Sequence, residues 1–60
     1  MYNAYRFVID NKGFLLFSEW SDNYNLIMKK AHEYKATAIQ SAPIKNRAID
    51  MDSITQEIIK

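Results

Sequence analysis

The chain has no cysteine, one glycine and one proline in 60 residues. Without cysteine there is no disulfide, no thiolate metal knuckle, no iron–sulfur cluster and no cysteine nucleophile. That absence matters at this length. So short a chain buries only about 60% of the surface its unfolded form exposes. Disulfides, a metal or a second copy are the usual supports. The lone Gly13 is needed for a turn, which leaves no glycine for a phosphate-cradling loop. The longest apolar run, Phe14-Leu15-Leu16-Phe17, is far short of the roughly 20 residues a membrane helix needs. No basic-then-apolar leader opens the sequence, so the expected location is the cytoplasm and no membrane is expected. Neither sign of charge dominates: 8 Lys and Arg stand against 7 Asp and Glu, for a net charge of +1. This argues against an acidic mimic of nucleic acid and against a strongly basic nucleic-acid coat.

What is present is apolar. Hydrophobic residues make up 48% and aromatics 13%, too much for a disordered chain. The expectation is a single domain over residues 1–60. Ile, Lys, Asn, Tyr and Phe, whose codons are AT-rich, far outnumber Gly, Ala, Arg and Pro. Read as a complete small reading frame, the sequence suits an AT-rich bacterial or phage genome.

Residues 4 to 20 read as a β-hairpin. Tyr5-Arg6-Phe7-Val8-Ile9 and Phe14-Leu15-Leu16-Phe17 are aromatic and β-branched. Asp10-Asn11-Lys12-Gly13 between them suits a three-residue loop with Gly13 in the left-handed position. That register sets Ile9 opposite Leu15 and puts Ala4, Val8, Phe14, Leu16 and Trp20 on one face. A two-residue loop would exchange partners across the faces. Ser21 or Asp22 should cap a helix running to about Tyr34–Thr37. Its apolar stripe is Tyr24, Ile27, Met28, Ala31, Tyr34 and Ala38. Leu26 is the one apolar residue on the polar side. Ala38-Ile39-Gln40-Ser41-Ala42-Pro43 reads as a connection. Ala48-Ile49-Asp50-Met51-Asp52 alternates as a short third strand. Ser53-Ile54-Thr55-Gln56 matches a capping box, which predicts a short C-terminal helix. The fold class expected is therefore α+β in the order ββαβα.

Three stretches resemble the YegP-like family of small domains. They are Tyr5-Arg6-Phe7-Val8-Ile9 with Asn11 and Gly13, then Ser18-Glu19-Trp20, then Ser41-Ala42-Pro43 with Ala48-Ile49-Asp50-Met51. The resemblance implies a ββαβ fold. It implies no activity and no site residues, since that family has none established. The helix here reads Ile27-Met28-Lys29-Lys30-Ala31-His32-Glu33-Tyr34, where the family carries a Gly-Ile-x-Ser-Val segment.

Catalytic patterns are scarce. His32 is the single histidine, and no Gly-x-Ser-x-Gly elbow accompanies Ser18, Ser21, Ser41 or Ser53. Asp50-x-Asp52 and Glu19 with Asp22 pair carboxylates without a third ligand or a calcium loop. No enzyme, metal or cofactor is expected. The positive signal is an apolar surplus. One helix can cover one face of a small sheet, which leaves Val8, Phe14, Leu16 and Trp20 on the other, with Leu26 nearby. These five form the expected partner interface. The reading is a small protein-interaction module that self-associates as a homodimer or binds a host protein. Its setting is a phage or mobile-element accessory protein that inhibits or redirects that host protein. The second reading is a nucleic-acid binder using Lys29, Lys30, Lys35, Lys45 and Arg47 with sheet aromatics.

Overall fold

A computed structural model describes residues 2–59. They form one antiparallel sheet with a single helix on one side. Strand β1 (Tyr2–Asn11) and strand β2 (Phe14–Phe17) make the expected hairpin, but its loop is two residues long. Asn11 faces Phe14, Ile9 faces Leu16 and Val8 faces Phe17. Lys12 and Gly13 both have positive φ, 53° and 93°. This is the turn whose twist matches that of the flanking strands. The Asp10 carboxylate accepts from the Gly13 amide at 3.1 Å. The one-residue shift from the three-residue register regroups the faces. Tyr5, Phe7 and Ile9 now share a side with Phe14 and Leu16, and Ala4, Arg6 and Val8 with Leu15 and Phe17.

Helix α1 spans Tyr24–Glu33. Its cap is Asn23, whose Oδ1 accepts from the Leu26 amide at 3.1 Å, rather than Ser21 or Asp22. All three residues can cap; Ser21 is held instead in a bridge to Tyr5. At the other end the Ala36 amide reaches the Ala31 carbonyl and the Lys35 amide the His32 carbonyl. These crossed bonds close the helix around Lys35 at φ 56°. Glycine usually takes this left-handed position. The helix lays Ile27 and Ala31 on Phe7, Ala36 and Ile39, with Tyr5, Ile9, Tyr24, Met28 and Ile59 packed around them. Ala38, read as the end of the helical stripe, belongs to the next strand.

Strand β3 (Ala38–Lys45) is the segment read as a connection. It pairs along β1 from Val8–Ala38 to Tyr2–Ile44 and lies at the centre of the sheet. Pro43 does not break it, for a local reason. The outer edge of β3 changes partner there. Strand β4 (Ala48–Ile49) pairs with Ile44 and Lys45, and strand β5 (Thr55–Ile58) with Ala38 through Ser41. Pro43 falls between them, and the only group it offers on that edge, its carbonyl, accepts from the Asp50 amide at 2.9 Å. The third strand expected at Ala48–Asp52 is therefore reduced to β4 and a 3-10 turn over Met51–Ser53.

No C-terminal helix forms among the described residues. Ser53 ends the 3-10 turn and donates to Asp50 Oδ2 instead of capping. Thr55–Ile58 runs as β5 because an open edge of β3 is available. There it gains ladder bonds, a Ser41–Thr55 hydroxyl contact at 2.7 Å and a Gln40–Gln56 amide bond at 3.0 Å. A helix of two turns offers less. The sheet order is β2-β1-β3, with β4 and β5 end to end on the far edge of β3.

Candidate interaction surface

Among the described residues strand β2 is an outer strand whose second edge is unpaired. All four of its side chains are largely exposed: Phe14 is 76% exposed, Leu15 55%, Leu16 52% and Phe17 45%. Leaving each half uncovered forgoes on the order of 1 kcal/mol of burial. Natural edge strands usually carry lysine, proline or a bulge, or lie under a loop. The four residues of β2 have none of these.

The chain departs from regular pairing just after β2. Ser18 still bonds Phe7, through its amide to the carbonyl and through its Oγ to the amide. Tyr5, however, bridges Ser21 rather than residue 20. One extra residue is therefore inserted between Ser18 and Ser21, a bulge. It turns Trp20 onto the Arg6 side. There the Arg6 guanidinium carbon lies 4.1 Å from the centre of the Phe17 ring and 4.5 Å from that of Trp20. Arg6 Nε donates to Gln40 Oε1 at 2.8 Å, and Gln40 Nε2 to Gln56 Oε1, so a polar ladder crosses this face from β1 to β5. Desolvation by burial draws the Arg6 guanidinium down from its ordinary value; it stays charged.

On the other side a half-open groove of about 530 Å³ lies between α1 and residues 18–21. Phe7 and Ile27 contribute to its lining, together with Leu26, Tyr34, Glu19 and Lys30. Tyr34 stacks on Phe7 at 5.6 Å and remains 59% exposed. Leu26, the residue out of place on the helical wheel, is exposed at this groove.

The five residues expected to form the interface are thus divided. Phe14, Leu16 and Leu26 are exposed on the helix side. Trp20 is half-buried against Arg6 and also contributes to the lining of the groove. Val8, expected across from Leu16, pairs with Phe17, points to the other side and is buried. Leu15, Phe17 and Tyr34 carry as much exposed apolar surface as the residues singled out from sequence. For Leu15 and Phe17 the signal was the unbroken Phe-Leu-Leu-Phe run, which is apolar on both faces in any register; Tyr34 belongs to the helical stripe that the spacing predicts to be buried.

The five cations of the second reading do not converge. Lys29 and Lys30 lie on α1, and Lys35 just past its end. Lys45 ends β3 and Arg47 lies in the turn that follows, roughly 23 Å from the first residue of β3 at the usual rise per residue. Lys45 is occupied by Asp50 at 3.3 Å. Arg47 and Asn46 form that turn with φ of 65° and 52°. Asp50 organises the region. Its carboxyl is held below the ordinary carboxylate range, first by the Ser53 hydroxyl, then by Lys45 and the Asp52 amide. His32 is exposed on the helix. Among the described residues no three His, Asp or Glu side chains cluster as metal ligands, and no helix is long and apolar enough to cross a membrane.

No protein-family model matches the chain, and no curated protein or solved structure is significantly similar to it.

Proposed function

We propose that this chain is a small protein-interaction module and not an enzyme. The observation that carries the reading is β2, among the described residues an outer strand with four largely exposed apolar side chains and an unpaired edge. Contiguous apolar surface of this kind marks interaction sites on small proteins, and aromatic residues such as Phe14 and Phe17 anchor them. The partner is a protein, either a second copy or a host protein that the module inhibits or redirects. The phage or mobile-element setting rests on an amino-acid composition rich in residues with AT-rich codons. The kinship with YegP-like domains belongs to the same proposal and brings no activity with it. Nucleic acid is not favoured, because its candidate cations lie at opposite ends of β3 and one is paired.

The test compares wild type with a Phe14→Ser, Leu16→Ser double variant. Both positions are already exposed, so the fold should survive. Wild type should bind apolar surfaces or associate, and the variant should do neither. Binding to DNA or RNA that is equal in the two proteins and falls steeply with salt would overturn the reading.

A further inference from the structure

We propose that two copies of this chain join their β2 strands edge to edge, antiparallel, around a two-fold axis at Leu16. The inference rests on reading β2 as the docking strand and goes further by naming its occupant and its register. In β2 the main-chain groups of Phe14 and Leu16 turn inward. Their partners, Asn11 and Ile9, lie at the pairing positions that alternate with the next inward bond, between Phe7 and Ser18. The N–H and C=O groups of Leu15 and Phe17 therefore turn out, onto the unpaired edge.

These two residues flank Leu16 symmetrically. A two-fold axis at Leu16 sets Leu15 opposite Phe17 of the other copy, and each exchanges both outward groups with its counterpart. Charge supports a second copy as the occupant. In an antiparallel pair the Lys12 end of one copy lies at the Glu19 end of the other, so unlike charges stand at both ends of the strand pair, just outside the segment that the bulge leaves regular. Between them the paired strands are uncharged. The bulge after Ser18 limits the pairing to this short segment. The exposed surface of β2 amounts to about 450 Å² per copy, so an edge-paired dimer buries at most about 900 Å², below the standard range of stable interfaces. The dimer is therefore expected to be reversible, and its population should follow concentration.

Amide hydrogen exchange on the intact protein tests this, from about 10 µM to about 1 mM. The Leu16 amide bonds within the monomer and should be protected at every concentration. Those of Leu15 and Phe17 should exchange freely when dilute and gain at least tenfold protection when concentrated. Over the same range the sedimenting mass should rise from 7.1 kDa toward twice that value. Leu15→Pro removes an outward donor on an edge that tolerates proline, and should stay monomeric. Should that variant unfold, Leu15→Lys, at a side chain already 55% exposed, serves in its place. Free exchange of Leu15 and Phe17 with a constant mass at about 1 mM overturns the second-copy inference. It leaves the module reading to its own test. A dimer in which those two amides still exchange freely overturns the edge pairing and keeps the reading of an apolar docking surface.

Discussion

Replacing Arg6 with alanine should lower the melting temperature by about 10 °C, and the figure can be built from its contacts. The guanidinium lies over Phe17 and Trp20 at 4.1 and 4.5 Å, and Nε bonds Gln40 at 2.8 Å. Each cation–ring contact at a half-exposed site contributes about 0.5–1 kcal/mol. The hydrogen bond from a charged donor contributes about 1.5 kcal/mol. These terms share one group and do not add fully, so about 2 kcal/mol is expected. A domain of this size holds roughly 3–5 kcal/mol in total, and 1 kcal/mol moves its melting point by about 4–8 °C. Trp20 is the only tryptophan, so its fluorescence reports the same contact. In Arg6→Ala its emission should move to the red and quencher access should rise. Arg6→Lys keeps the charge but not the planar stack or the Nε donor, and should recover less than half of the loss. Arg6→Met separates the charge from the apolar stem. Melting and Trp20 shielding equal to wild type in Arg6→Met would refute the reasoning, because stem packing would then suffice.

Truncation before Ile54 removes β5, its pairing to Ala38–Ser41 and the packing of Ile59 on the core; the shortened chain should be largely unfolded at 25 °C by circular dichroism. Two backbone substitutions should act with opposite sign. Gly13→Ala meets no atom within 4 Å but must hold φ near 93°, and should cost about 1 kcal/mol. Lys35→Gly relieves a left-handed lysine at the end of α1 and should stabilise by up to about 1 kcal/mol in a urea melt. Asp50 has a depressed carboxyl, so its stabilising contribution is full above the ordinary carboxylate range and is lost as pH falls through its folded value. Asp50→Asn should therefore flatten the acid limb of stability below about pH 4 and leave the neutral-to-alkaline dependence unchanged.

The elements read correctly from sequence are those whose signal is local. The β1 and β2 strands announce themselves by aromatic and β-branched content, and α1 by the spacing of Tyr24, Ile27, Met28, Ala31 and Tyr34. The helix end was harder to place because Lys35 takes a position that glycine normally marks. The errors share a different cause. Ser53-Ile54-Thr55-Gln56 fits a capping box, yet Ile54, Thr55 and Ile58 are β-branched residues that also suit a strand. What decides between the two is the free edge of β3, 14 or more residues away in the chain. Pro43 made its segment look like a connection. Whether proline breaks a strand depends on which neighbour its nitrogen would have met, and here that neighbour changes from β4 to β5.

The exposed apolar surface was legible in amount but not in address, and the reason is register. A loop of two or three residues fits Asp10-Asn11-Lys12-Gly13 about equally well, and the choice moves every side chain of β2 to the other face. Because Phe14-Leu15-Leu16-Phe17 is apolar at every position, either register leaves apolar side chains uncovered on both sides of an outer strand. Val8 and Trp20 differ in this respect. Val8 leaves the exposed set once Phe17 replaces Leu16 as its partner, and Trp20 is carried to Arg6 by a bulge that strict alternation cannot foresee. An outer strand apolar on both faces gains less from a helix or sheet laid on one side than from a strand added at its edge. A second strand shields both faces at once and pairs the outward groups of Leu15 and Phe17. The feature that withstands the uncertainty of register thus favours edge pairing over face packing.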